Sequence, residues 1–271
     1  MAVHPTAIVE DGAVLGDGIE IGPFCIVGPN VRLGDGVRLH SHVVVGGVTT
    51  IGARTEVHPH AVLGGESQIR GNDGEGTRLE IGEDCVIREC VSFSLGSKRG
   101  HNLTTVGARG FFMAYSHIGH DCVVGSDCTF ANGAQLGGHV TLGYGLILGG
   151  LCTVQQFGRI GRGAMLGGMS GANLDVIPFG IAVGSHAHHA GLNIVGLKRR
   201  GVSRPSIHAL RHTYQAVLVS EEGTLADRVA GARAQWGTVP EVAEVLDFIA
   251  APAKRKLCPV RRRGRDADDE G

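Results

Sequence analysis

The chain has 271 residues, enough for one large domain or two modest ones, and its formal net charge of −1 supplies no basic field to draw nucleic acid. Its 45 glycines lie far above the usual share of roughly 7%, yet they lack the period of three and the proline content of collagen. Aromatics make up only 4%, so a fold of many tight turns around aliphatic layers would account for both. No positive segment followed by an apolar stretch opens the chain, and no run of about 18 apolar residues occurs. Seven cysteines without a C-x-x-C pair argue against a disulfide framework or a zinc knuckle. The expectation is a soluble protein of the reducing cytoplasm, with no stable membrane insertion.

From Val3 to Leu63 every sixth residue is aliphatic: Val3, Val9, Leu15, Ile21, Val27, Leu33, Leu39, Val45, Ile51, Val57 and Leu63. Glycine follows most of them. A period of six is neither a strand alternation nor a helix; it is the hexapeptide signature of a parallel β-helix. The pattern resembles the left-handed form, in which three hexads make one triangular coil and the aliphatic residue points inward from each face. Glycine and small polar residues would take the corners, where positive φ or close backbone approach is needed. Successive coils would stack at about 4.8 Å, the spacing of strands in a sheet.

Residues 65–80 then lose the pattern. It resumes in phase at Ile81, Ile87 and Phe93, and slips by one across residues 95–105. It then runs through Val106, Phe112, Ile118, Val124, Phe130, Leu136, Leu142, Leu148, Val154, Ile160 and Leu166. Insertions of this kind leave a solenoid as loops on one face, often the binding face. Two residues before the aliphatic position a second column is small: Cys25, Cys85, Ser116, Cys122, Cys128, Ala134, Cys152 and Ala164. Five of the seven cysteines share this phase, so they read as small buried hydrophobes rather than redox or metal groups.

After Pro178 the repeat stops. Ile207, Leu210, Tyr214 and Val217 fall on one face of a predicted helix with Pro205 near its start. LADRVAGARAQW and VPEVAEVLDFIAA give two more helical segments. The expected architecture is mainly β: a left-handed β-helix over 1–189 and a small α-helical domain over 190–255. A basic-then-acidic tail over 256–271 is expected to be disordered.

Coil spacing places chemistry. His120, Gly138 and Gln156 are each 18 apart and share one column. His139 lies beside Gly138, and His117 half a hexad before His120. An imidazole is suited to move protons near neutral pH, and a glycine N–H beside it could stabilise an oxyanion. Together they suit acyl transfer from a thioester to a hydroxyl, with no serine or cysteine nucleophile. A hydrogen-bonded surface histidine stays open as the plainer reading of His120. So does zinc held by His117, His120 and His139. The γ-type carbonic anhydrases share this repeat and bind zinc through three histidines. Nothing in the spacing makes the three imidazoles converge, and the helical C-terminus is not expected in those enzymes. No metal or other cofactor is assigned.

Several stretches resemble the UDP-N-acetylglucosamine acyltransferases that begin lipid A synthesis. They are HPTAIVEDGA (4–13), IGPFCIVGPNV (21–31), SHVVV (41–45), TRLEIG (77–82), IRECV (87–91), HIGHDCVVG (117–125), QQF (155–157) and GLNIVGLKRRG followed by SR (191–204). The resemblance implies a homotrimer with sites between neighbouring subunits. It implies transfer of an acyl group, usually 3-hydroxylated, from acyl carrier protein to the sugar 3-hydroxyl. It further implies His120 as general base, Asp121 as its orienting partner and Gly138 as the oxyanion donor. His117, His139 and Gln156 match substrate contacts, and Asn193, Arg199 and Arg200 match residues near the nucleotide and pantetheine. Guanidinium groups suit diphosphate and an acidic carrier. The chain departs from the family at Ile69, Arg70 and Gly71 (family DLK), at Ser94 and Gln155 (family His) and at Val195 (family Glu). These departures keep open another nucleotide sugar, including a 3-amino sugar, another thioester donor, or an inactive scaffold.

Overall fold

The computed structural model describes residues 2–71 and 74–261. Two-residue strands recur at the expected positions, and each pairs in parallel with the strand one coil on, Val27 with Val45 and Val124 with Leu142. Among the described residues this gives sheets of 11, 9 and 8 strands, the three faces of a left-handed prism. The first face opens with Ala2–Val3, the second with Ile8–Val9 and the third with Val14–Leu15. Strands this short are marginal alone. They hold because every coil hydrogen-bonds to its neighbours and stacks its aliphatic residues in a closed core, at about 1.5–3 kcal/mol per buried Leu or Ile. Phe93, Phe112 and Phe130 pack in series within that core, at ring separations of 5.0 Å.

The corners divide the glycines and the left-handed residues between two positions. At most positions directly after an inward aliphatic, glycine lies too close to the next coil for a side chain: a Cβ on Gly143 would sit 2.5 Å from the Arg162 nitrogen. Positive φ falls two residues later and is mostly borne by other types, among them Asp84, Asp121, Asp127, His139 and Phe157. Close approach, rather than positive φ, is therefore what selects most corner glycines. Cys25, Cys85, Cys122, Cys128 and Cys152 are all buried as expected. Burial pushes the Cys122 and Cys152 thiols up to about 12 and Cys128 up to about 11, which keeps them unreactive.

The two interruptions have a simple geometry. Ile51 pairs with Ile81, 30 residues on, and Ile81 with Val106, 25 residues on, where an unbroken coil takes 18 between Val124 and Leu142. The first excess is a whole number of hexads and keeps the phase; the second is one hexad plus one residue and shifts it. Both loops leave the same corner, where the second face turns into the third: one joins Val62–Gly65 to Arg78–Ile81, the other joins Ser92–Ser94 to Leu103–Val106.

The coil ends in an antiparallel hairpin, Gly180–Val183 with His188–Leu192. Four α-helices follow among the described residues: α1 (Ile194–Arg199), α2 (Arg204–Tyr214), which continues into a π-helical turn at Gln215–Val219, α3 (Leu225–Trp236) and α4 (Pro240–Ala250). Ser203 caps α2, with Pro205 in its first turn, and Thr224 and Asp227 form a capping box on α3. Ile207, Leu210, Tyr214 and Val217 are buried together as the spacing predicts. The tail departs from the expectation of disorder over 256–271. Leu257 bridges Asp175, Val260 bridges His189, and Cys258 is buried against the coil end, because Leu257, Cys258 and Val260 form a short apolar run. Residues 262–271 lie outside those described. Among the described residues no helix is long and apolar enough to cross a membrane.

Two stability predictions follow from packing and burial. Gly143→Ala should lower stability by about 1–3 kcal/mol, whereas Gly231→Ala, in the open on α3, should raise it by about 0.5–1 kcal/mol; thermal unfolding reads both. Burial also pushes the His189 imidazole from 6.5 down to about 4. The unfolded chain then binds a proton that the folded chain refuses, so stability falls as pH drops from 6.5 toward 4. This group's share of the loss is about 3 kcal/mol, and His189→Phe should flatten that part of the Tm–pH curve.

Candidate active site

The corner that carries both loops also carries residues 119–121, 137–139 and 155–157 on successive coils. A cleft of about 380 Å³ opens there. His117, His120, Gly138 and Gln156 all line it, with Gln68 from the first loop and Ser94 from the start of the second. The column predicted from an 18-residue coil is therefore one wall of a real concavity.

His120 is buried rather than freely exposed, at 8%. Its Nδ1 lies 2.8 Å from Asp121 Oδ2. Asp121 is more deeply covered still, at 2%, beneath the second loop. Its carboxylate accepts Ser97 Oγ–H at 2.5 Å, Ser97 N–H at 3.1 Å and His101 N–H at 3.1 Å, with His101 Nδ1 at 3.2 Å. Its own N–H donates to Thr104 Oγ1 at 2.9 Å. Burial alone would raise the Asp121 carboxyl. The hydrogen bonds from Ser97 and His120 outweigh it and hold the group below the usual carboxylate range. An ionised carboxylate can only accept, so Nδ1 of His120 carries the proton and Nε2 is left as the basic atom.

Gly138 explains why the ring can lie there. A Cβ on Gly138 would fall 2.3 Å from Cε1 and 2.4 Å from Nε2 of His120. The imidazole rests on the backbone of the next coil, and only glycine allows it. The flanking N–H groups of Gly137 and His139 are spent on the Val154 and His120 carbonyls. Among the described residues the Gly138 N–H has no acceptor, and Gly138 itself lines the cleft beside His120.

His117 accepts or donates at Nδ1 with Ser92 Oγ, 2.8 Å away, and burial holds its pKa below the ordinary histidine value. A neutral imidazole there can hydrogen-bond a ligand without adding charge. His139 does not line the cleft. It packs edge-on to His120 at 4.9 Å and stacks on Phe157 at 4.5 Å, behind the base. Burial also holds its pKa below the ordinary histidine value, and its Nε2 lies 3.9 Å from Asp121 Oδ2.

Asn193, Arg199 and Arg200 lie elsewhere. Asn193 caps α1, accepting from Gly196 N–H and donating to the Gly163 carbonyl. Arg200 donates to the Gly145 carbonyl, and Arg199 is exposed beside it. Gly145 and Gly163 belong to the corner between the third and first faces. One chain therefore splits the expected site over two corners. Ser97, His101 and Thr104, which fix Asp121, were not singled out from sequence; the phase slip marked their segment but not the residues.

Metal-ligand geometry bears on the zinc alternative. His117, His120 and His139 do not form a convergent set among the described residues; the two groups that do are His101, Asp121 and His139, and His40, Glu56 and His58.

Known proteins resemble this chain over most of its length. Residues 175–258 match the family described as UDP N-acetylglucosamine O-acyltransferase, domain 2, and residues 12–47 match the bacterial transferase hexapeptide repeats. Proteins named acyl-[acyl-carrier-protein]–UDP-N-acetylglucosamine O-acyltransferase are close in sequence. The one from Sinorhizobium fredii is 45% identical, covering 97% of each chain, and that from Agrobacterium fabrum is 45% identical, covering 96% of each. Among solved structures, LpxA from Acinetobacter baumannii superposes with a TM-score of 0.91 at 37% identity, covering 96% of this chain and 100% of that one. The Moraxella catarrhalis UDP-N-acetylglucosamine O-acyltransferase gives 0.92 at 35% identity, covering 95% and 100%.

Gly138→Ala tests the packing of the base. The added methyl should displace the His120 ring and lower kcat at least ~10-fold, while the melting temperature moves by only a few degrees. An unchanged kcat would show that the observed ring position is not needed.

Proposed function

The chain belongs to the UDP-N-acetylglucosamine O-acyltransferase family, and we propose that its transfer of an acyl group from acyl carrier protein to UDP-N-acetylglucosamine runs through His120. The observation that carries this is the buried Asp121, which fixes Nδ1 of His120 as donor and leaves Nε2 basic at the cleft wall.

Nε2 takes the proton of a sugar hydroxyl as its oxygen attacks the thioester carbonyl carbon. The tetrahedral oxyanion accepts the Gly138 N–H, a donor already in place before charge develops. Collapse breaks the carbon–sulfur bond, and the imidazolium returns its proton to the departing carrier thiolate. Asp121 stays ionised throughout and steadies the imidazolium. His117 and Gln156 contact the substrate in the cleft; His139 supports the base from behind. The acceptor is the 3-hydroxyl and the donor a 3-hydroxyacyl thioester, in line with the sequence resemblance.

We further propose a cytoplasmic homotrimer. Arg199 and Arg200 stand on a different corner from His120, so a second copy must bring arginines to the cleft if they are to hold diphosphate or carrier phosphate. Guanidinium forks suit those groups.

Purified protein given UDP-N-acetylglucosamine and acyl carrier proteins of several chain lengths should yield an acylated nucleotide sugar by mass. His120→Ala should lower kcat by about 10²–10⁴-fold; undiminished turnover would remove His120 as the base. Co-refolding His120→Ala with Arg200→Ala should regain activity that neither has alone. Absence of any recovery would refute a site shared between copies.

A further inference from the structure

His40 and His58 are consecutive rungs of one column, directly after the inward residues Leu39 and Val57, which pair with each other. Most residues in that phase are glycine. Here two imidazoles project outward instead and stack at 4.5 Å with an interplanar angle of 22°. Glu56, two residues before His58, reaches between them. Its Oε1 lies 2.7 Å from Nε2 of His40 and 3.5 Å from Nε2 of His58. One ligand atom from each of the three lies within 4.8 Å of the others. On the far side of His58, Nδ1 faces Glu89 Oε1 at 3.5 Å. Glu89 is itself held by Arg88 at 2.9 Å.

We propose that His40, Glu56 and His58 form a site for a divalent transition-metal ion of the zinc class. Two imidazoles and one carboxylate are a borderline-soft donor set that zinc accepts, with the fourth position left to water. A tetrahedral ion with bonds of about 2.0–2.1 Å needs its donor atoms about 3.3 Å apart, and the observed separations of 2.7 and 3.5 Å bracket that value. Glu89 stands 3.5 Å from the other ring nitrogen of His58, the place where a metal-bound histidine generally has a carboxylate that sets tautomer and ring orientation. The β-helix makes this possible: identical positions on adjacent coils recur at strand spacing, so a stacked histidine pair already has both nitrogens on one side. The ion would clip together two successive coils just before the first loop, and it would stabilise the folded chain in proportion to its occupancy. The site is distinct from the cleft, whose corner lies between the second and third faces.

Cobalt(II) titration of the untagged, metal-stripped full chain tests this, followed by visible d–d absorption and by dialysis against zinc. One equivalent per chain should bind and raise the melting temperature. His58→Ala should weaken binding by more than tenfold, and Glu89→Gln by about tenfold. These side chains are partly exposed, so circular dichroism should report an intact fold for each variant. Failure to bind one equivalent would overturn the proposal. So would binding that survives in His40→Ala/His58→Ala, which would move the ion to another cluster such as His101, Asp121 and His139. Unchanged affinity in Glu89→Gln would remove Glu89 from the site.

Discussion

The hydrogen bonds between coils fix almost everything else in this molecule. Each backbone rung pairs with the rung one coil on, so a residue's neighbour in space is set by its number. Phe112 lies on Phe130, Leu136 on Val154, and His120 beside Gly138. A ladder this regular cannot absorb extra residues on a face without breaking every pairing beyond them. Extra residues must leave at a corner, and both insertions leave at the same one. The cleft arises there because the loops rise beside the column of His120. Solenoids concentrate function in this way: the coils supply position and the insertions supply enclosure.

The enclosure does electrostatic work. A carboxylate buried without partners would neutralise itself, since its desolvation cost is large. Asp121 remains ionised because the second loop folds over it with a hydroxyl and two backbone N–H groups. Those bonds are charge-assisted and among the stronger ones a protein can make. The loop thus stabilises a charge whose use lies one residue away, on His120. Gly138 contributes in the opposite sense, by having nothing to place in the space the imidazole needs. The base is held on one side by charge and admitted on the other by an absent side chain.

How much of this was legible follows the same division. The hexad series fixed the inward residues, the buried cysteine column and the column of His120, Gly138 and Gln156, because a period of six has one geometrical meaning. The slip at 95–105 located the second loop. What the loop does with Ser97 and His101 was not legible, since a loop's path is set by contacts and not by a period. His139 was placed correctly beside Gly138, yet its ring turns away from the cleft to stack on Phe157, a choice of rotamer that spacing cannot express. Over 257–260 the chain is ordered against the expectation, for a related reason. Composition marked 256–271 as charged, but the short uncharged run of Leu257, Cys258, Pro259 and Val260 is enough for two bridges at the open end of the coil.

The departures from the family pattern also sort by position. Ser94 lines the cleft, where a smaller side chain changes the shape offered to substrate. Arg70, Gln155 and Val195 are exposed. None of them touches the carboxylate, the imidazole on it or the glycine beneath it. The departures fall on cleft-lining or exposed positions, and the buried Asp121, His120 and Gly138 match the family pattern. This is the expected outcome when Asp121, His120 and Gly138 are locked together by burial and coil register, because any change there disturbs the packing of all three. Contacts made from loops and corners carry no such penalty, so acyl and sugar preference can drift while the reaction stays the same.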